Sequence, residues 1–307
     1  MKSNFFYYAS VLLFFVFIKF NYAFQIMHNG IKKTSSINLT EENFQKIYSL
    51  PLPEEINFCG ENVPLNQSDV RERLDRELLV NTYWHSNMML LIKRANKYFT
   101  VLEKILVEEK IPEDFKYLVA IESGFLNAVS IKGAKGFWQL MRGTAREYGL
   151  EVNGNVDERF HLEKATRVAC RYIQKAKDRF GSWTLAAAAY NRGMYGIDRE
   201  LKRQQVDTYY DLLLGSETRR YVFRILAVKL IMSQPFSFGF VLEKKDLYTM
   251  PLIRKVGVDS AITNIATFSK KIGINYKTLK LYNPWLLENH LNNNSRKYYE
   301  IAIPLEK

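Results

Sequence analysis

Pro112-Glu113-Asp114-Phe115-Lys116-Tyr117-Leu118-Val119-Ala120-Ile121-Glu122-Ser123-Gly124-Phe125 reads as a helix with one residue on the wrong face. Pro112 suits a first helical position, and Glu113 and Asp114 set negative charge at the positive end of the helix dipole. Phe115, Leu118 and Val119 make an apolar stripe, and the next place on that stripe is Glu122. Ser123-Gly124 is the stop, with glycine supplying the left-handed conformation on which helices commonly end. The pattern therefore drives an ionisable carboxyl to the end of a buried face. Desolvation there disfavours the charged form and raises the pKa. A carboxyl that keeps its proton near neutral pH is what a general acid requires. A structural glutamate paired with an arginine would fit the same pattern, and this segment alone does not separate the two.

Outward from this helix the pattern stays helical from Asp69 to about Phe236. Leu74, Leu78 and Leu79 recur at helical spacing, as do Leu102, Ile105 and Leu106, and Ala165, Ala169, Tyr172 and Ala176 share one stripe. Leu185 to Tyr190 is an Ala-rich helix thin enough for close packing, and Ser216 is the expected N-cap of the run Glu217 to Met232. Residues 237–250 read as a connector. Residues 251–307 then read as strand, helix, helix, strand, with Leu252–Val256 and Tyr298–Ile303 as the strands. Asp259 or Ser260 is the expected cap of the first helix in that module and Asn275 of the second.

Upstream, residues 24–68 are polar and interrupted by Pro51, Pro53 and Pro64, and read as an extended arm. Residues 1–23 read as a signal peptide or membrane anchor. The apolar run Phe5–Ile18 is shorter than the roughly 20 residues that span a bilayer, so an export signal fits it best. Asn21-Tyr22-Ala23 is a poor cleavage site, which leaves removal or retention of the leader open.

Composition bounds the rest. The chain has 307 residues, 47% hydrophobic and 25% charged, which excludes wholesale disorder. A net charge of +12 suits an acidic partner, and an export signal makes nucleic acid a poor choice among such partners. Cys59 and Cys170 are too few for a disulfide scaffold, although an exported chain could pair them. His28, His85, His161 and His290 have no ligand spacing, so neither a metal nor another cofactor is expected.

Three further segments change the odds at Glu122. Gly133-Ala134-Lys135-Gly136-Phe137-Trp138-Gln139-Leu140-Met141 is a glycine-punctuated loop that carries an aromatic and an amide. Tyr190-Asn191-Arg192-Gly193 ends the Ala-rich helix with another such pair, and Tyr221 opens the next long helix. Aromatic faces stack on sugar rings, and Asn and Gln amides offer a donor and an acceptor to hydroxyl and acetamido groups. Read in order, these segments resemble the family 1 lytic transglycosylases, which have a lysozyme-like helical fold and cleave peptidoglycan strands. Glu122-Ser123-Gly124-Phe125 matches the family's first motif and Gly136-Phe137-Trp138-Gln139-Leu140-Met141 its glutamine motif. Ala189-Tyr190-Asn191-Arg192-Gly193 and Glu217-Thr218-Arg219-Arg220-Tyr221-Val222 match the remaining two. Trp138 before the glutamine is most similar to the membrane-bound lytic transglycosylase D branch. Val256 to Ile303 is similar to a LysM module, although Val258 stands where that pattern has glycine and the loop from Pro284 to Lys297 is long.

The resemblance implies a mainly α protein, with a lysozyme-like helical catalytic domain over 69–236 followed by a small α+β module of βααβ order. It implies that Glu122 is the single catalytic acid and base, acting between N-acetylmuramic acid and N-acetylglucosamine. Ser123, Gln139, Tyr190, Asn191 and Tyr221 are the implied substrate-binding residues, with Ser123 and Tyr190 orienting Glu122 or the acetamido group. Trp138 is expected to pack beneath the glutamine motif. The implied partner is the peptidoglycan glycan strand, in the periplasm or cell envelope, with membrane association through the N-terminal segment. A hydrolytic muramidase on the same fold and an inactive peptidoglycan-binding scaffold are the alternatives.

Overall fold

The computed structural model describes residues 47–305, and every element below belongs to the unit Leu50–Lys307. The expected leader, and the expected arm up to residue 46, lie outside the described residues. No helix among the described residues is long and apolar enough to cross a membrane.

Over residues 50–68 the expected extended arm is instead a small hairpin packed on the core. Strands β1 (Asn57–Phe58) and β2 (Glu61–Asn62) are joined by Cys59 and Gly60, both at positive φ (54° and 81°). A two-residue turn of that kind matches the natural twist of paired strands. The hairpin buries Phe58 edge-on against Phe115, with ring centres 5.3 Å apart. It also aims Glu61 at the N-terminus of a later helix. There the Glu61 carboxylate accepts hydrogen bonds from the Trp183 and Thr184 amides at 2.6 and 2.9 Å. Cys59 and Cys170 are free thiols, so the pairing that export would permit is not made.

Helices α1 (Ser68–Tyr83) and α2 (His85–Glu108) lead into a single 3₁₀ turn, Glu113–Phe115, and α3 (Lys116–Ser123). Pro112 therefore caps a 3₁₀ turn and does not open the α-helix itself. After a loop and the short α4 (Arg142–Glu147) come α5 (Leu162–Phe180), α6 (Trp183–Arg192) and α7 (Met194–Gln204). The long α8 (Ser216–Ser233) packs against α1, α3 and α6. Its Val222, Phe223, Ile225 and Leu226 are fully buried, so the helix forms the axis of the domain. Ala186 to Ala189 on α6 are likewise buried, and α6 lies against both α5 and α8. Small side chains permit that close approach, and a larger one there would overpack by roughly 1–3 kcal/mol. Gly215, with no side-chain cap, precedes α8; Ser216 is the first helical residue and not the N-cap.

The C-terminal module has the expected βααβ order. Strand β3 (Ile253–Val258) pairs antiparallel with β4 (Tyr299–Pro304), in the register Val256 opposite Ile301. Helices α9 (Ile265–Lys271) and α10 (Tyr276–Tyr282) lie between them in sequence. The Asn275 side chain caps α10 as expected, accepting from the Thr278 amide at 2.8 Å. The first cap is Asn264, not Asp259 or Ser260, because Ile262 is held in a bridge to Leu291 and the helix starts only after it. Fully buried Asn283 ties the end of α10 to β4, donating to the Ala302 carbonyl and accepting from the Ala302 amide, both at 2.8 Å.

Candidate active site

Glu122 sits in the last turn of α3, which Gly124 ends in the left-handed conformation (φ 60°). Its carboxylate accepts a hydrogen bond from the Tyr221 hydroxyl, which α8 brings across the core. Burial is the largest influence on Glu122 and pushes its pKa up to about 7. The Tyr221 hydrogen bond and the Arg224 charge oppose that rise, and the Glu217 carboxylate adds to it. The carboxyl is thus poised to hold or release a proton near neutral pH.

The arginines that might have made Glu122 an ordinary ion-pair residue are engaged elsewhere. Buried Glu77 on α1 receives Arg220 Nε at 2.6 Å, with Arg76 on the same carboxylate and Arg224 4.0 Å away. Among the described residues, Glu122 has no salt-bridge partner. The ion-pair reading left open by the sequence is therefore not the arrangement found.

The glutamine motif forms a tight loop before α4. Gly136 and Gln139 both have positive φ (80° and 46°), and the Lys135 and Leu140 backbones exchange hydrogen bonds across the turn. Gln139 Nε2 donates to the Ala128 and Gly136 carbonyls at 3.0 and 2.8 Å. Both amide hydrogens are thereby committed, so a ligand contact by this side chain must use Oε1 as an acceptor. Trp138 is fully buried and donates to Thr166 Oγ1 at 2.8 Å, so it packs beneath the loop as expected. Its carbonyl accepts from the Tyr190 hydroxyl at 2.7 Å, which ties the loop to the end of α6. Burial, with the nearby Glu122 charge, pushes the Tyr190 phenol well above its ordinary pKa.

Asn191, next along, bridges to the first turn of α8. Its Oδ1 accepts from Thr218 Oγ1 at 2.8 Å, and its Nδ2 is 3.5 Å from Glu217 Oε1. Ser123 Oγ donates back to the Val119 carbonyl of its own helix at 3.3 Å, so its hydroxyl is not hydrogen-bonded to Glu122. Of the residues singled out in the sequence, Tyr221 touches Glu122, Tyr190 holds the Gln139 loop, and Asn191 fixes the α8 terminus. Glu217 was not singled out. The signal was present, since Glu217 precedes Tyr221 by four residues and so shares its helix face.

The chemistry available is that of one protonatable carboxyl with a phenol donor on it, with the Tyr190 phenol and the Glu217 carboxylate close enough to act on its charge. Tyr221→Phe tests the electrostatic part of this arrangement. The phenol donates to the charged carboxylate and so favours ionisation. Its removal is expected to raise the Glu122 pKa further and move the basic limb of a pH–activity profile upward. A limb that stays in place or moves down would show that Tyr221 does not set the Glu122 titration.

Comparison with known proteins places these features in context. Residues 101–212 match the transglycosylase SLT domain, and residues 254–307 match the soluble lytic transglycosylase C-terminal LysM-like domain. The chain is similar to membrane-bound lytic murein transglycosylase D of Escherichia coli (strain K12), 28% identical over 235 residues, covering 74% of this chain and 50% of that protein. It thus spans about half the length of the curated relatives it matches. Among solved structures, the 70 kDa soluble lytic transglycosylase of Escherichia coli is 22% identical, with a TM-score of 0.39, covering 50% of this chain and 27% of that one. An inactive mutant of the lytic transglycosylase Slt from Pseudomonas aeruginosa is 20% identical, with a TM-score of 0.35, covering 50% and 26%.

Proposed function

From a chain that carries a transglycosylase SLT domain followed by a LysM-like domain of the lytic-transglycosylase type, we propose a peptidoglycan lytic transglycosylase of the cell envelope. The observation that carries this reading is Glu122, free of any ion pair among the described residues, with burial pushing its pKa up to about 7 and a tyrosine hydroxyl on its carboxylate. Glycosidases usually place two carboxyls about the scissile bond. Here both roles are assigned to Glu122, the neighbouring Glu217 carboxylate facing the Asn191 amide. Protonated Glu122 gives its proton to the glycosidic oxygen linking N-acetylmuramic acid to N-acetylglucosamine, and the bond to the muramic acid C1 breaks. The substrate's own N-acetyl group supports the positive charge left on C1. Glu122, now ionised, removes the proton from the muramic acid C6 hydroxyl, whose oxygen closes on C1. The product is a 1,6-anhydro ring, and no water is consumed. Holding C6 near C1 and excluding water are positioning demands. Gln139 Oε1, Asn191, Tyr190, Tyr221 and Ser123 are the proposed sugar-binding residues.

The basic chain complements an anionic envelope, a weak electrostatic contribution separate from the chemistry. Membrane attachment through the N-terminal segment belongs to the same proposal. Purified sacculi incubated with the full chain test the activity. Soluble muropeptides with 1,6-anhydro ends support it, reducing ends would move the protein to the muramidases, and binding without release would leave a scaffold.

A further inference from the structure

The C-terminal module is joined to the catalytic domain by more than the connector. Between α4 and α5 the chain makes a small hairpin, with Val152 bridged to Asp157. The far side of that hairpin is built into the module. Buried Val156 belongs to the module's own apolar cluster and bridges Leu286. The Asp157 amide donates to the Trp285 carbonyl at 2.9 Å, and the Leu287 amide to the Asn155 carbonyl at 3.0 Å. Asn155 also donates to the His290 carbonyl at 2.9 Å and accepts from the Asn292 amide at 2.8 Å. Glu151 beside it receives Lys297 Nζ at 2.6 Å and the Tyr299 hydroxyl at 2.9 Å.

The near side of the hairpin holds the glutamine loop. Buried Arg159 forks onto the Asp157 carboxylate at 2.9 and 2.8 Å, and Lys135 of the loop reaches the same carboxylate at 3.3 Å. The Arg159 Nη1 donates to the Gly133 and Leu140 carbonyls at 3.0 and 3.2 Å, at the two ends of the loop that carries Gln139. A planar guanidinium offers five donors in a fixed fork, so one side chain here sets the spacing of a carboxylate and two carbonyls. Asp157 is thus bound by its amide to the module and by its carboxylate to the loop.

We propose that the C-terminal module positions the Gln139 loop of the catalytic domain through this hairpin, with Asp157 and Arg159 as positioning residues. This rests on the proposed role of the loop in sugar binding. The module then contributes to glycan affinity even for substrates too small to reach it.

The test uses the full chain with Asn155→Ala, on the module side, and Arg159→Lys, on the loop side. Hydrogen exchange reads the Lys135 and Leu140 amides, each of which donates to the other residue's carbonyl across the loop, against Ala186 and its neighbours in α6. Each variant is expected to speed loop exchange at least roughly tenfold and to leave α6 unchanged, as expected for a local opening. With soluble glycan oligomers as substrate, KM is expected to rise roughly tenfold, because small misplacements of a binding group are costly, and kcat to stay within about twofold. Loop exchange unaltered in Asn155→Ala would overturn the proposal, whatever the activity. Arg159→Lys could unfold the loop region outright, but Asn155→Ala leaves the guanidinium in place and keeps the test decisive. The exchange readout needs no turnover, so failure of the coupling is distinguishable from failure of the proposed activity.

Discussion

Glu122→Gln is expected to fold normally and to lose glycan cleavage by on the order of 10³-fold or more, since general acid–base work of one group alone contributes about 10²–10⁴-fold. The amide keeps the shape and can still accept from Tyr221, but it neither gives nor takes a proton at neutral pH. The same substitution carries a stability signature of defined sign. The Glu122 carboxyl has its pKa raised from 4.5 to about 7 in the folded protein. Between those values the unfolded chain releases a proton that the folded chain retains, so this group's contribution to stability falls as pH rises through that window. Glutamine abolishes the dependence. The variant is therefore expected to match the parent near pH 4 and to exceed it by roughly 1–3 kcal/mol above pH 7. Thermal unfolding of both proteins at acid and at mildly alkaline pH reads the difference. A variant less stable than the parent at alkaline pH would contradict a desolvated, strained carboxyl. Activity of the parent is correspondingly expected to decline as pH rises past about 7, where the acid form is lost.

The second large effect is at Gly136. Its φ is +80°, a conformation that side chains other than glycine rarely adopt, and a Cβ there would stand 1.9 Å from the Arg159 carbonyl oxygen and 2.8 Å from its carbonyl carbon. Both atoms are backbone, in a buried residue whose side chain is held by Asp157 and by the loop carbonyls, so neither can yield cheaply. Gly136→Ala is expected to cost about 3–5 kcal/mol, the range in which strain and overpacking combine, and to lower the melting temperature by roughly 2–4 °C per kcal/mol. Gly143 provides the contrast. It lies in α4 with open space where its Cβ would be, so Gly143→Ala is expected to be neutral or stabilising by up to about 1 kcal/mol. Equal melting temperatures for the two variants would show that the loop is not held against Arg159.

How far the sequence reached differs from one feature to the next. Glu122 was legible because helical periodicity is local: an apolar stripe three and four residues apart predicts where the next side chain falls. The βααβ order of the module was legible for the same reason, as was the cap at Asn275. The hydrogen bond from Tyr221 was not, since it spans 99 residues and depends on how α3 and α8 pack. Motif resemblance put the two residues in one cleft; pattern alone could not have done so. The Asn264 cap was missed because Asp259 and Ser260 are equally good capping residues, and a bridge from Ile262 to distant Leu291 decides between them. Residues 50–68 differ from the expected arm for a related reason. Prolines and polar residues around Phe58 suggest an extended segment, but burial of Phe58 against Phe115 and the hydrogen bonds of Glu61 to a helix N-terminus outweigh local preference. The joining of the module to the Gln139 loop runs through backbone bonds and through the side chains of Asn155, Asp157 and Arg159, which no residue spacing announces.

In the proposed reaction one carboxyl runs both proton transfers, and the substrate's own hydroxyl, not water, closes on C1. Digestion of purified sacculi in ¹⁸O-labelled water, with wild type beside Glu122→Gln, measures this. The expected result is that wild type releases muropeptides with 1,6-anhydro ends that contain no label, and that Glu122→Gln releases none. Labelled reducing ends from the wild type, or undiminished release by the variant, would contradict it.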